Sequence, residues 1–261
     1  MKKPSRLDYA YAVGRVRSLE RTLITRAVFS EASEEKDFLS AMRTIFEAGD
    51  YEEEMVKIQN SDHLDDFIAE EKRNVLQQMI GLFLDEDIID IIEQEFHPDK
   101  ALASADRTEY VFVRDYLRHK IDLANLKILC RSKYLGFSPE KFASLELRGG
   151  FLDPRIFVQN YELSYSEIGE KFRSSPYLAL WNRATDILEE KETFVELERG
   201  IEDFLMTYLI KAKYIVFGPE PVFAYVLAKS KELDLVRLVG VGKLNQVPPS
   251  ILKQRISETY V

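Results

Sequence analysis

Apolar residues recur every three or four positions along most of this chain, most regularly from Tyr110 to Gly136. Val113, Leu117, Ile121, Ala124 and Ile128 fall on one face of a 3.6-residue period. Tyr116, Leu123, Leu126 and Leu129 form a second apolar set beside them, so the spacing predicts a helix covered over most of its circumference. Polar residues break the pattern in two places. Asp122 and Asn125 lie one turn apart, as do Lys127 and Arg131, and Gly136 supplies the positive-φ position that commonly ends a helix. Asp and Asn compete with the backbone for hydrogen bonds inside a helix. The Asp122–Asn125 pair therefore either has a task or forms a solvated seam.

A second stretch, Val222 to Gln246, repeats the arrangement. Moving the first segment forward by 110 positions lays Asp122 on Glu232, Leu126 on Val236, Lys127 on Arg237 and Lys133 on Lys243. Leu235 replaces Asn125. The shared pattern is an acid, a base five residues on, and a lysine six residues beyond that. Such self-similarity predicts a repeated supersecondary unit.

The remaining periodicity is also helical. Asp8 is placed to cap a helix using Tyr9, Ala12, Val13, Val16, Leu19 and Leu23. A second helix is expected from Ser33 through Lys36–Leu39 to Gly49-Asp50, and a third from Asn60-Ser61-Asp62, burying Leu64, Phe67, Ile68, Val75, Met79, Phe83 and Leu84. His97-Pro98 should end the acidic segment Asp85 to Phe96. Short helices follow at Phe137–Glu140, Ser164–Phe172 and Pro176–Leu188, with Trp181 in the core, and a long one runs from Thr193 or Phe194 to Phe217. Gly218-Pro219-Glu220-Pro221 closes one helix and opens the next. After Pro248-Pro249-Ser250, Ile251, Leu252, Ile256 and Tyr260 mark a last amphipathic helix. Alternating strand patterns are almost absent, so the class is all-α.

Composition narrows the function more than the fold. A formal net charge of −9 argues against a dedicated nucleic-acid binder, which would show a basic stripe. One cysteine, Cys130, excludes an intramolecular disulfide, and its apolar neighbours suit a small buried side chain. No run of about eighteen apolar residues is present, so no spanning helix is expected. The first residues lack the apolar core of a signal peptide. A cytoplasmic protein, or one on the cytoplasmic face of a membrane, is expected.

Catalytic chemistry is hard to place. His63, His97 and His119 are isolated and read as surface or helix-end residues. Asp87, Asp90 and Glu93 lie a turn apart, but acids early in a helix also match its dipole without a cation. Val239-Gly240-Val241-Gly242-Lys243-Leu244 fails as a phosphate loop, since Arg237 stands at the first glycine position and Leu244 at the Ser/Thr position. No cofactor or metal is expected. An acid–base carboxylate pair stays open.

Four features point to one family. Tyr9-Ala10-Tyr11 with Arg15-Val16-Arg17, the Asp122/Asn125-Leu126-Lys127 repeat, the Gly218–Pro221 break, and the Glu232/Val236-Arg237/Lys243 copy resemble the C subunit of the archaeal and bacterial V/A-type rotary ATPases. The eukaryotic counterpart in that family is the d subunit of the vacuolar ATPase. The resemblance runs to Ser257–Val261. It implies a pseudo-threefold funnel of repeated helical units, a socket without catalytic residues or cofactor. That socket would cap the cytoplasmic side of the membrane proteolipid ring and receive the rotor shaft, passing torque between them. Family members are longer and generally carry three copies of the repeat. No copy is visible before Arg107, and Glu52 to Phe96 looks too short to hold one, so the first unit is expected to be either shortened or too diverged to see. The units are then 1–106, 107–190 and 191–261. Lys127, Arg131, Lys133, Arg237 and Lys243 are the candidate partner contacts of the socket or braces between its parts. Capping of helix C-termini is the plainer alternative for these cations. A helical adaptor of another complex, or an enzyme with an unseen carboxylate pair, is the rival function.

Overall fold

The structure of the chain is a computed structural model, and it describes residues 4–49, 51, 54, 57–94 and 97–261. Among these residues every regular element is a helix, as the periodicity predicted. In chain order they are α1 (Ala10–Leu19), α2 (Arg26–Glu34), α3 (Phe38–Ala48), α4 (Ser61–Ile80), α5 (Glu86–Glu93), α6 (Pro98–Ala105) and α7 (Val111–Tyr134). There follow α8 (Pro139–Ala143), α9 (Arg155–Gln159), α10 (Tyr165–Lys171), α11 (Leu178–Lys191), α12 (Val195–Ile210), α13 (Glu220–Leu244) and α14 (Pro249–Arg255). The chain divides into two compact units, one of residues 90–205 and one that joins residues 1–89 to 206–261, with the boundaries falling inside α5 and α12.

In the unit of residues 90–205, α7 supplies Leu123, Leu126, Leu129 and Cys130 to a core shared with Phe142, Phe157, Ile168, Tyr177 and Trp181. Trp181 is fully buried and its indole N–H donates to the Tyr165 carbonyl at 2.8 Å, which satisfies its one polar atom. In the other unit α13 plays the same part. Its Leu233, Leu235, Val236 and Val239 pack with Met42, Ile45 and Phe46 of α3 and Leu64 and Ile68 of α4. Burial along α13 is continuous from Glu220 to Lys229, so this part of the helix is covered on every side.

The two long helices also end alike. Gly136 takes φ 65°, its N–H reaching the Lys133 carbonyl at 3.1 Å and the next N–H, of Phe137, reaching Ser132 at 2.9 Å. Gln246, 110 positions later, takes φ 55° with the same two bonds, to Lys243 at 3.1 Å and from Val247 to Gly242 at 2.9 Å. Each left-handed corner satisfies carbonyls that the helix end would leave unpaired. A proline-led short helix follows in both cases, α8 with Phe142 buried and α14 with Leu252 buried.

Some boundaries differ from the sequence expectation for local reasons. Asp8 does not cap α1 but closes a capping box with Ser5 around a 3-10 turn, Arg6–Tyr9. Helix α2 precedes the helix expected after Ser33, and Asp37 is the residue that caps α3, accepting the Ser40 N–H at 2.9 Å. Pro98 opens α6, where its missing N–H costs nothing. Helix α12 stops at Ile210 and passes into a 3-10 turn, Lys211–Tyr214. Leu84 and Ile251, expected in the interior, are 49% and 44% exposed. Asp50, Glu52 and Phe96 lie outside the described residues.

Two stability measurements follow from this packing. Leu126→Ala, a cavity in a fully buried site, should cost about 2–5 kcal/mol in urea unfolding; a loss under about 0.5 kcal/mol would show the site uncrowded. Gln246→Gly should raise stability by roughly 1 kcal/mol, since an L-residue is disfavoured by about that much in the left-handed region.

Candidate functional site

Each long helix carries a three-point clamp made from the residues that the sequence repeat picked out. The first point is a buried carboxylate. Asp122 is fully buried, and its Oδ2 accepts the Phe151 N–H and the Tyr177 hydroxyl, both at 2.9 Å, while Oδ1 accepts the Leu152 N–H at 3.1 Å. A Cβ on Gly150 would lie 1.9 Å from Oδ1, so glycine is what lets this loop come so near. One turn on, Asn125 accepts the Leu147 N–H and donates to the Leu147 carbonyl, both at 2.8 Å. The pair is no solvated seam; it holds the backbone of one loop. Glu232 does the corresponding work on α13, where it is 3% exposed and accepts the Ile24 N–H at 2.5 Å. Its other oxygen meets Lys229 at 2.5 Å, and the Lys229 ammonium sits 4.6 Å from the centre of the Tyr51 ring.

The second point is a half-exposed base. Lys127 and Arg131 both reach Glu198 Oε1 of α12, at 3.2 and 2.5 Å. Arg237 forks onto Asp65 of α4, with Nε to Oδ1 at 2.8 Å and Nη2 to Oδ2 at 3.2 Å. In solvent such pairs are worth at most about 1 kcal/mol each.

The third point is a lysine that gathers carbonyls from a neighbouring segment. Lys133 donates to Tyr161 O at 2.6 Å and Leu163 O at 2.8 Å, its ammonium lying over the Tyr161 and Tyr165 rings. Lys243 donates to Ser33 O at 3.1 Å and also to Glu35 O. In both helices these bonds go to another segment, not to the helix's own last carbonyls. The structure thus brings Lys127 with Arg131 to one acid, and sets Lys133, Arg237 and Lys243 at three other places.

Electrostatics follow from burial. Desolvation raises the Asp122 pKa, against the lowering effect of the Leu152 N–H, the Tyr177 hydroxyl and the Phe151 N–H. Desolvation likewise raises Glu232, opposed mainly by Lys229. Burial lowers Lys133 and pushes the Cys130 thiol up to about 12, which leaves that thiol unreactive. His119 corrects the sequence reading. It sits in the middle of α7, half-buried, with Nδ1 2.6 Å from the Tyr177 hydroxyl and its ring against Phe151 and Phe204. Since that hydroxyl donates to Asp122, it accepts from an Nδ1–H of His119. Asp90 stands 3.7 Å from Arg107, and among the described residues no three His, Cys, Asp or Glu side chains converge as metal ligands. Among them, too, no helix is long and apolar enough to cross a membrane.

The bases were legible in the sequence, and what they hold was not. Glu198 and Asp65 are ordinary surface acids by pattern, and Tyr177 is one tyrosine among thirteen. The helix-internal Asp122 and Asn125 were the available signal for a partner loop, without saying which loop.

The raised Asp122 value has a testable sign. The folded protein holds this proton to higher pH than the unfolded chain does. The group's contribution is therefore complete below the ordinary carboxylate range and is lost as pH rises through the folded value. Asp122→Asn should cost more stability at acid pH than at neutrality in urea titrations. Parallel pH profiles for the two proteins would refute the shift.

Comparison with known proteins adds to this geometry. A family model described as ATP synthase (C/AC39) subunit matches residues 99–255, more than half of the chain. The C subunit of the A-type ATP synthase of Halobacterium salinarum is 24% identical over 151 residues, covering 58% of this chain and 43% of that protein. Its namesake in Thermococcus kodakarensis is 24% identical over 159 residues, 58% of this chain and 40% of that protein. The C subunit of the V-type sodium ATPase of Enterococcus hirae is 35% identical over 74 residues, 28% and 23% of the two chains. The chain thus spans less than half the length of these relatives.

Proposed function

We proceed from the fact that the chain belongs to the ATP synthase (C/AC39) subunit family, and propose that it is a non-catalytic part of the central rotor of a V/A-type ATPase. In this reading it joins the rotor shaft subunits to the membrane proteolipid ring on the cytoplasmic face and carries torque between them. It corresponds in role to the d subunit of the vacuolar enzyme. It needs no cofactor of its own, and the ion crosses the membrane elsewhere in the complex.

The observation that carries the reading is the duplicated clamp on α7 and α13, both inside the matched stretch. A part under torque must resist shear between its helices. Buried hydrogen-bonded carboxylates and lysines that tie helix to loop resist it better than apolar contact alone, because they are directional. Lys127, Arg131 and Arg237 have side chains 36%, 48% and 54% exposed, each paired with an acid. They remain able to exchange that acid for one on a shaft subunit. Lys133 and Lys243 serve the same socket as braces.

The chain, tagged and expressed with its neighbours, should be retained with the shaft and the proteolipid ring in mild detergent. Arg131→Glu with Arg237→Glu should lower shaft retention by roughly tenfold or more, most strongly at low salt, with an unchanged melting curve. Retention that is equal across salt concentrations would remove these bases from the contact. Failure of the unaltered chain to travel with the ring would overturn the rotor role.

A further inference from the structure

The clamp on α7 takes hold of segments that follow it in the chain: 151–152 for Asp122, 161 and 163 for Lys133, and Glu198 for Lys127. The clamp on α13 reaches the other way, to segments that precede it in the chain. Its acid, lysine and base instead take hold of Ile24, Ser33 with Glu35, and Asp65.

These targets are not scattered. Ile24 stands 127 positions before Phe151, Ser33 128 before Tyr161, and Glu35 128 before Leu163. The helix caps keep the same offset, Asp37 of α3 standing 127 before Ser164 of α10. The acids that receive the exposed bases, Asp65 and Glu198, stand 133 apart, in the last long helix of each set, α4 and α12. Four points share an offset to within one position, and the fifth adds a handful more. Two copies of one fold with a short length difference would give that pattern.

We infer that the chain holds two copies of one repeat and that the second copy is closed by residues that precede the first in the chain. Residues 220–261 are its first half and residues 24–80 its second. Residues 1–106 are then not a shortened copy standing alone; they lend their middle to the C-terminal copy. The two segments are fastened at further points outside the clamp. Arg6 forks onto Glu220 at 2.7 and 3.0 Å, and Arg17 donates to the carbonyls of Ala212, Lys213 and Ile215. The Arg26 N–H donates to Thr259 Oγ1 at 2.9 Å, and Lys72 reaches Asp234 at 2.6 Å. Glu220, from the proline-bracketed break, is 3% exposed, so its charge depends on Arg6 for a partner.

Two measurements on the full chain test the inference without any ATPase partner, so their outcome is independent of the rotor role. A protease site inserted in the turn between α4 and α5, after Gly81, is cut under native conditions and the product is passed over a sizing column. The two pieces should travel as one and part only in denaturant; release of the N-terminal piece in buffer would overturn the closure. Amide hydrogen exchange then asks whether the copies are equivalent. Glu232→Gln should speed exchange at Ile24 about tenfold and leave Phe151 alone, and Asp122→Asn should do the reverse. If the cut chain holds together but Ile24 is insensitive to Glu232, the two segments are joined by other contacts and the equivalence fails.

Discussion

A backbone N–H removed from water must find an acceptor, and in this protein a carboxylate on a long helix provides one. Asp122 accepts the amides of Phe151 and Leu152, and Glu232 accepts the amide of Ile24. An unmet buried amide costs roughly 1–3 kcal/mol, so each acid decides where an irregular segment can lie. Desolvation of these acids works against the charged form and raises both pKa values. The hydrogen bonds they receive offset part of that cost. The loops are held because the acids are buried, and the acids tolerate burial because the loops point N–H groups at them.

The lysines satisfy the loops from the other side. Carbonyls at Tyr161 and Leu163, and at Ser33 and Glu35, turn toward Lys133 and Lys243. One helix thus supplies an acceptor near its middle and a donor in its last turn, eleven residues apart in both copies. A segment that packs on that helix is held by its amides at one end and its carbonyls at the other. The exposed bases between them, Lys127 and Arg237, add little to stability in solvent. Charge is therefore left accessible where it is least needed for folding, which is a reasonable place for a protein to meet another.

Much of the fold was legible in one sequence. The 110-residue repeat, the helical class, the burial of Leu126, Trp181 and Cys130 and the break at Gly218–Pro221 all follow from local pattern, since periodicity and turn chemistry act over a few residues. Asp37 as a cap and α2 as a separate helix were less visible. Arg26–Glu34 is short, and its apolar residues Val28, Phe29 and Ala32 do not stand out from neighbouring runs. His119 was misjudged because nothing adjacent in sequence announces Tyr177, 58 residues away.

By itself, then, the sequence determined which residues are special: an acid inside a helix, a base five positions on, a lysine after six more, twice over. The tertiary structure alone decided what each of them grips. Hydrogen-bond partners are selected by the folding of distant segments into reach, and the separations involved, 29 residues from Asp122 to Phe151 and 208 from Ile24 to Glu232, leave no trace in local periodicity. That the two chain ends lie in one compact unit is likewise a property of packing, because apolar faces specify that they will be covered and not by which part of the chain.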